Sequence, residues 1–185
     1  MPLPKAAKQT TPPCTTEAVP PPTPVVPAAT RVSNHAIELI THFEHFYPKA
    51  YQDPAGIWTI GYGTIRVNGK RVTAGMTCTK VQATLWMEED IQSAVSDILR
   101  VCGVPLKQQE LDALASFVYN VGIGNFQGSS LLRNIKAKKP VTETNFTSWN
   151  KARVNGKLQP LPGLIRRRRA EHFLYTQGRV KVQFI

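Results

Sequence analysis

Proline divides this chain before any element can be assigned. Nine of its fifteen prolines fall between Pro2 and Pro27, with Pro20-Pro21-Pro22 in succession. Each removes a backbone donor and holds φ near −65°, so neither a helix nor a central strand can run through that stretch. Residues 1–32 also contain no Phe, Tyr or Trp. Such a segment cannot bury enough surface to offset its ordering entropy. It reads as a mobile or polyproline-II arm, serving as a linker or as a docking arm for a partner. Residues 33–185 are then the folding unit, a length that suits one domain.

The chain has 185 residues and is 42% apolar, enough to build a core. Its formal net charge of +11, from 23 basic and 12 acidic residues, favours polyanionic partners. Nucleic acid, anionic lipid headgroups, lipopolysaccharide and the bacterial wall all qualify. The cysteines are Cys14, Cys78 and Cys102, an odd count without CxxC or a zinc-type Cys/His spacing. They read as reduced thiols, with a Cys78–Cys102 bridge as the alternative. No metal and no cofactor is expected. No apolar run approaches the roughly 20 residues a membrane helix needs. Prolines interrupt every apolar run after Lys5 and Lys8, so the N-terminus does not read as a secretory signal.

From Ser33 the pattern becomes globular. Ser33 or Asn34 can cap a helix over 35–46, with Ile37, Ile40 and Phe43 at helical spacing and Pro48 as the stop. Asn68-Gly69, between arms of alternating polarity, signals a two-residue hairpin, so residues 50–73 read as a small antiparallel sheet. Everything after it reads as helix. Thr79 and Gln82 form a capping box for a helix over 80–100, with Val81, Leu85, Ile91, Val95 and Ile98 as its expected buried stripe. A second helix over 107–120 carries Leu111, Leu114, Phe117 and Val118. Shorter helices are expected over 129–137, 142–151 and 162–176, and no internal repeat is evident. The plan is α+β, with a small sheet lobe, a helical lobe and a cleft between them.

The chemistry-bearing residues cluster early. Glu44 stands at the end of the first helix. Asp53 follows nine positions later in the turn Gln52-Asp53-Pro54-Ala55-Gly56, and Thr59 six positions after that at a strand start. Helix end, turn and strand start can face one cleft. Glycoside hydrolysis needs two carboxyl groups in different environments, one protonated to donate to the leaving oxygen and one ionised. Phe43, Phe46 and Tyr47 around Glu44 suggest apolar burial that keeps its proton on, whereas Asp53 lies in a polar turn. A Glu and an Asp nine apart are by themselves common on solvated surfaces.

The stretch from Glu44 to Thr59 resembles the active-site signature of the phage-type lysozymes, the endolysin family of muramidases. That signature is Glu, eight residues, Asp, five residues, Thr, with the run Thr59-Ile60-Gly61-Tyr62-Gly63 and the preceding Ala50-Tyr51-Gln52-Asp53. The resemblance continues through Asp112–Gly122, Phe126, Ser130-Leu131-Leu132, Trp149-Asn150-Lys151-Ala152 and Leu161-Pro162-Gly163-Leu164, about 150 residues in all. It departs at Thr64, where the family commonly has His. It implies a lysozyme-like two-lobed fold cutting the β-1,4 bond between N-acetylmuramic acid and N-acetylglucosamine. It also implies Glu44 as general acid, with Asp53 and Thr59 positioning water. An inverting mechanism, with the carboxyl groups about 6.5–9.5 Å apart, follows from the same resemblance.

Other residues carry narrower expectations. Tyr119 and Asn120 end a helix facing the cleft and are candidates for sugar contact, as is Ser130. Core packing, a helix-end hydrogen bond and helix capping are their respective alternatives. Four consecutive arginines, Arg166, Arg167, Arg168 and Arg169, point around a whole helix, so at least one faces inward. By resemblance an arginine here pairs with the catalytic glutamate region, and Arg167, then Arg166, is the candidate. The outward arginines are candidates for anionic cell-envelope groups. A nucleic-acid reading of the four lacks aromatic interleaving and any known motif. His35, His42, His45 and His172 have no metal spacing, and a surface role suits His42 and His45 beside Glu44. The family expectation is a monomer made in the host cytoplasm and released to the wall through a separate membrane pore.

Overall fold

The computed structural model describes residues 29–53, 56–154 and 156–184. Most of the expected arm, residues 1–28 with Cys14, lies outside the described residues. Residues 29–32, grouped with the arm by composition, are packed on the body. Ala29 is buried and its N–H donates to the Leu106 carbonyl at 3.0 Å. The Gln92 and Gln108 side chains donate to the Thr30 and Arg31 carbonyls.

Helix α1 runs Asn34–Phe43 and is capped by Ser33, whose hydroxyl accepts from the His35 N–H. It stops three residues earlier than the spacing suggests, because Glu44 is already extended, with φ −94° and ψ 132°. The chain passes directly into β1 (Tyr47–Gln52), which contains Pro48. Strand β2 (Trp58–Gly61) pairs antiparallel with β1, setting Tyr51 opposite Thr59 and Gln52 opposite Trp58. Strands β3 (Arg66–Val67) and β4 (Lys70–Arg71) form the expected Asn-Gly hairpin. Asn68 and Gly69 have φ of 50° and 75°, the two left-handed residues a type I′ turn requires. The region is thus two small two-stranded sheets rather than one.

Helix α2 (Lys80–Cys102) opens with the predicted capping box and closes on Gly103 in the left-handed region. Its buried stripe is Ala83, Met87, Ile91, Val95, Ile98 and Cys102. Val81 and Leu85 are not in it; they are 70% and 54% exposed. Two residues back along a helix is a rotation of about 200°, so a stripe through 83 and 87 turns 81 and 85 outward. Cys78 and Cys102 lie at opposite ends of this helix, about 35 Å of rise apart, and both are free thiols. The bridge alternative is therefore excluded by geometry.

Helix α3 (Gln108–Val121) is the central element, and every residue from Leu111 to Val118 is buried. Helices α4 (Ile123–Gln127), α5 (Ser130–Lys136) and α6 (Glu143–Thr147) close the helical lobe, and α7 (Pro162–Gln177) packs along α3. Phe117 anchors the core, with Phe126, Phe146 and Trp149 meeting it edge-on.

The expectation of helix throughout this half fails at residues 151–160. There β5 (Lys151–Val154) and β6 (Lys157–Pro160) form a third hairpin, and the helix expected over 142–151 shrinks to α6. The cause is legible in the chain. The pentapeptide Arg-Val-Asn-Gly-Lys occurs twice, at 66–70 and 153–157, so a short internal repeat does exist. The pairing closes in the same register in each copy, Val67 opposite Lys70 and Val154 opposite Lys157.

Candidate active site

Glu44 leaves α1 at the junction of the two lobes. Its N–H still donates to the Ile40 carbonyl, while its side chain, 25% exposed, projects toward α7. There Arg167 Nη1 donates to Glu44 Oε1 at 2.6 Å. This corrects the apolar surroundings inferred for Glu44. Phe46 turns to Tyr62 and Tyr47 to Tyr51, with ring centroids 5.6 and 4.3 Å apart, and Phe43 lies under the Arg167 guanidinium. The carboxyl group meets a cation, and its other oxygen has no hydrogen-bond partner among the described residues.

The β1–β2 hairpin holds the other two candidates. Asp53 follows the Gln52–Trp58 pair, and its N–H donates to the Ile57 carbonyl at 3.0 Å. The Ile57 N–H returns a bond to Asp53 Oδ1 at 2.9 Å, fixing one carboxylate oxygen. Thr59, nearly buried, donates from Oγ1 to the Ile57 carbonyl. Tyr51 stands opposite Thr59 in the ladder, so the two share one face of the hairpin. The Tyr51 phenol pKa is raised by burial first, then by Tyr47, Glu44 and Asp53.

Three cavities meet at Glu44. One cavity, of about 620 Å³, runs from His42 and His45 past Glu44 to Leu161, Leu164 and Arg166. A second is walled by Tyr47, Tyr51 and Tyr62, and a third by Ile65, Asp90, Tyr119 and Asn120; Glu44 lines both. Tyr119 donates its hydroxyl to the Tyr62 carbonyl at 2.8 Å, tying α3 to the sheet lobe. Burial foremost, then Glu44 and Asp90, pushes its pKa up. Thr64, where a histidine is common in the resembling family, is buried and donates to Asp90 Oδ2 at 3.2 Å. Ser130 is the first residue of α5; its hydroxyl accepts from Asn145, and the capping role belongs to Ser129.

Behind Glu44 lies a buried ionic cluster. Arg167 uses every guanidinium nitrogen: Nη1 on Glu44, Nε on Glu171 and Nη2 on the Ser116 carbonyl. Glu171 also accepts from the Ser116 hydroxyl at 2.9 Å. The second inward arginine is Arg168, not Arg166, which stays exposed. Positions 167, 168 and 171 share the side of α7 that faces α3, and 166 has rotated away from it. Arg168 donates to Asn120 Oδ1 at 2.8 Å, stacks on Phe117 and pairs with Glu171 at 3.3 Å. Burial depresses its pKa and Glu171 opposes that effect. Arg169 pairs with Glu143 at the surface. Sequence reasoning passed over Glu171 and Asp90, and named Arg168 only as one of four arginines without an inward role of its own. An Arg-Arg-x-x-Glu spacing on an otherwise weakly apolar helix was the available signal for Arg168 and Glu171.

Among the described residues, no group of three or more His, Cys, Asp or Glu side chains could hold a metal ion, and no helix is long and apolar enough to cross a membrane.

The family model for phage lysozyme matches residues 41–171, a span that contains Glu44, Asp53, Thr59 and Arg167. The endolysin of Acyrthosiphon pisum secondary endosymbiont phage 1 is 38% identical over 80% of this chain and 99% of its own length. The endolysin of Salmonella phage P22 is 36% identical over 78% of this chain and 97% of its own. Among solved structures, an endolysin from Escherichia coli O157:H7 phage FAHEc1 superposes with a TM-score of 0.73, at 38% identity over 82% of this chain and 96% of that one. The muramidase domain of SpmX from Asticaccaulis excentricus superposes with a TM-score of 0.70, at 34% identity over 80% of this chain and 98% of that one. With that match across most of its length and the lysozyme-like two-lobed α+β fold, this chain belongs to the phage lysozyme family of glycoside hydrolases.

Proposed function

We propose that the chain is an endolysin that hydrolyses the β-1,4 bond between N-acetylmuramic acid and N-acetylglucosamine in bacterial peptidoglycan, leading to host cell lysis. The observation that carries this reading is the position of Glu44, where three cleft cavities converge inside the family-matched span. Glu44 donates a proton to the glycosidic oxygen as the bond breaks. Arg167 holds Oε1, orients the carboxyl group and stabilises the carboxylate left behind. Asp53, steadied by the Ile57 N–H, takes a proton from water on the opposite sugar face, and Thr59 helps place that water. Attack from that face inverts the anomeric centre, with room for the water between carboxyl groups about 6.5–9.5 Å apart. Tyr119, Asn120 and Ser130 are candidate sugar contacts. Asn120 is supported by its place on the cleft wall.

The enzyme works without cofactor or metal, as a monomer. It is made in the host cytoplasm and reaches the wall through a separate membrane pore. Of the arginine run, Arg166 is the residue open to anionic envelope groups, because Arg167 and Arg168 are buried and Arg169 pairs with Glu143. That loss also weakens the run as a nucleic-acid stripe.

Clearing of bacteria stripped of their outer membrane tests the assignment. Glu44→Gln is expected to lose at least about 100-fold in rate, the lower range for a general acid. Equal clearing by both proteins sinks the enzymatic reading. Mass analysis of the released muropeptides is expected to find reducing-end muramic acid; an anhydro sugar would mean a transglycosylase. The anomer first formed, read by NMR, decides inversion.

A further inference from the structure

The repeated pentapeptide supplies a comparison within the chain. Arg66 Nη1 donates to the Gly69 carbonyl at 3.2 Å, and Arg153 Nη1 donates to the Gly156 carbonyl at 3.2 Å. The two hairpins differ in the residue across the ladder. Leu158 stands opposite Arg153, whereas Arg71 stands opposite Arg66. Like charges directly opposed across two strands destabilise a hairpin. Since the second copy forms without such a pair, the turn does not require Arg71. No carboxylate among the described residues pairs with Arg66 or Arg71.

Both arginines are exposed and line a cavity of about 240 Å³ with Gly56, Ile57, Trp58, Ile65 and Val72. Ile57 and Ile65 are 40% and 47% exposed there. Ile65 also walls the cleft cavity that holds Glu44 and Tyr119. The charged cavity therefore adjoins the cleft and shares one side chain with it.

We propose that Arg66 and Arg71 form an anion subsite for a carboxylate of the peptide borne by the substrate glycan. This rests on the reading of the cleft as a peptidoglycan site. Muramic acid carries its peptide on the lactyl group, and that peptide combines free carboxylates with small apolar side chains. Two guanidinium groups beside exposed isoleucines match that combination. A glycan strand crossing Glu44 projects its peptides sideways, and Ile65 marks where the cleft passes into the charged cavity. Bound carboxylate offsets the repulsion between the two arginines.

Arg71→Leu copies the Arg153–Leu158 pair, so the hairpin is retained. Its kinetics are compared with the parent protein on purified sacculi and on the same glycan stripped of peptide by an amidase. KM on sacculi is expected to rise about tenfold with kcat little changed, the scale of one charge-assisted hydrogen bond. On stripped glycan the two proteins should coincide, and Arg71→Lys should recover part of the loss on sacculi. An equal loss on both substrates, or no loss on either, overturns the proposal. So does an unchanged KM on sacculi accompanied by weaker binding to phosphatidylglycerol vesicles, which assigns the arginines to lipid phosphate. Co-sedimentation with sacculi, comparing Glu44→Gln with Glu44→Gln/Arg71→Leu, reads the subsite without turnover. If the parent protein is no more active than Glu44→Gln, the catalytic reading fails, and this binding difference alone decides the subsite.

Discussion

Arg167 Nη1 and Glu44 Oε1 lie 2.6 Å apart although 123 residues separate them in the chain. The pair joins the last helix to the end of the first. Because Arg167 also holds Glu171 and the Ser116 carbonyl, three elements meet on one guanidinium. Arg167→Ala leaves buried Glu171 paired with Arg168 alone and removes the donor to the Ser116 carbonyl, and should cost about 2–3 kcal/mol of unfolding free energy. Arg167→Lys, a point charge without the planar fork, should fall between the two. Urea titration measures both. A loss below about 1 kcal/mol for Arg167→Ala would show that the cluster does not hold α7 in place.

Gly61 stands in β2 with φ of 67°, and a Cβ placed there would come within 2.8 Å of the Ala83 Cβ on α2. Gly61→Ala combines left-handed backbone strain with a clash against the Ala83 Cβ, and should cost about 2–4 kcal/mol. Gly69→Ala meets no atom within 4 Å and should cost only the strain, about 1–2 kcal/mol. The ordering of their thermal midpoints checks the argument.

Asp112 is fully buried and accepts from the Ser33 N–H, the Ser33 hydroxyl and Gln108. It ties the start of α1 to the middle of α3. Asp112→Ala removes the acceptor shared by the half-buried Ser33 and by Gln108 and should lose about 1–3 kcal/mol, while Asp112→Asn, which keeps an acceptor, should lose less. Hydrogen exchange at the α1 amides should rise in the Ala variant before global unfolding does.

Asp90 retains contact with solvent, yet burial in the cleft wall raises its pKa, with the Thr64 hydrogen bond opposing and Glu89 adding to the rise. A carboxyl group whose folded pKa is raised binds its proton more tightly when folded. Its stabilising contribution is present below the usual carboxylate pKa of 3.8 and is lost as pH climbs through the raised value. Asp90→Asn should therefore be the more stable protein near pH 7, with the difference closing at pH 3. Thermal melts of both proteins from pH 3 to 7 test this; a difference that grows toward acid contradicts it.

Much of this protein is legible one segment at a time. The Ser33 cap, the Thr79–Gln82 box and the Asn68-Gly69 turn are local devices, set by hydrogen bonds between near neighbours, and each appears where the residues require it. The spacing from Glu44 to Thr59 likewise identifies a helix end, a turn and a strand start without reference to the rest of the chain. The same rule was available at Asn155-Gly156, and the β5–β6 hairpin was missed because helix was expected throughout that half.

What only the tertiary structure decided is the set of partners. Residue spacing placed Glu44 among aromatic neighbours, and only the family resemblance suggested Arg167 beside it; packing of α7 on α3 is what delivers that guanidinium. Four adjacent arginines look alike as a string, and the angle at which α7 meets α3 turns Arg167 and Arg168 inward and leaves Arg166 outside. Burial of Asp112 beneath Ser33, and the exposure of Val81 and Leu85, follow from the same cause. Periodicity specifies that a helix has faces; which face is covered depends on long-range contacts that no local window contains.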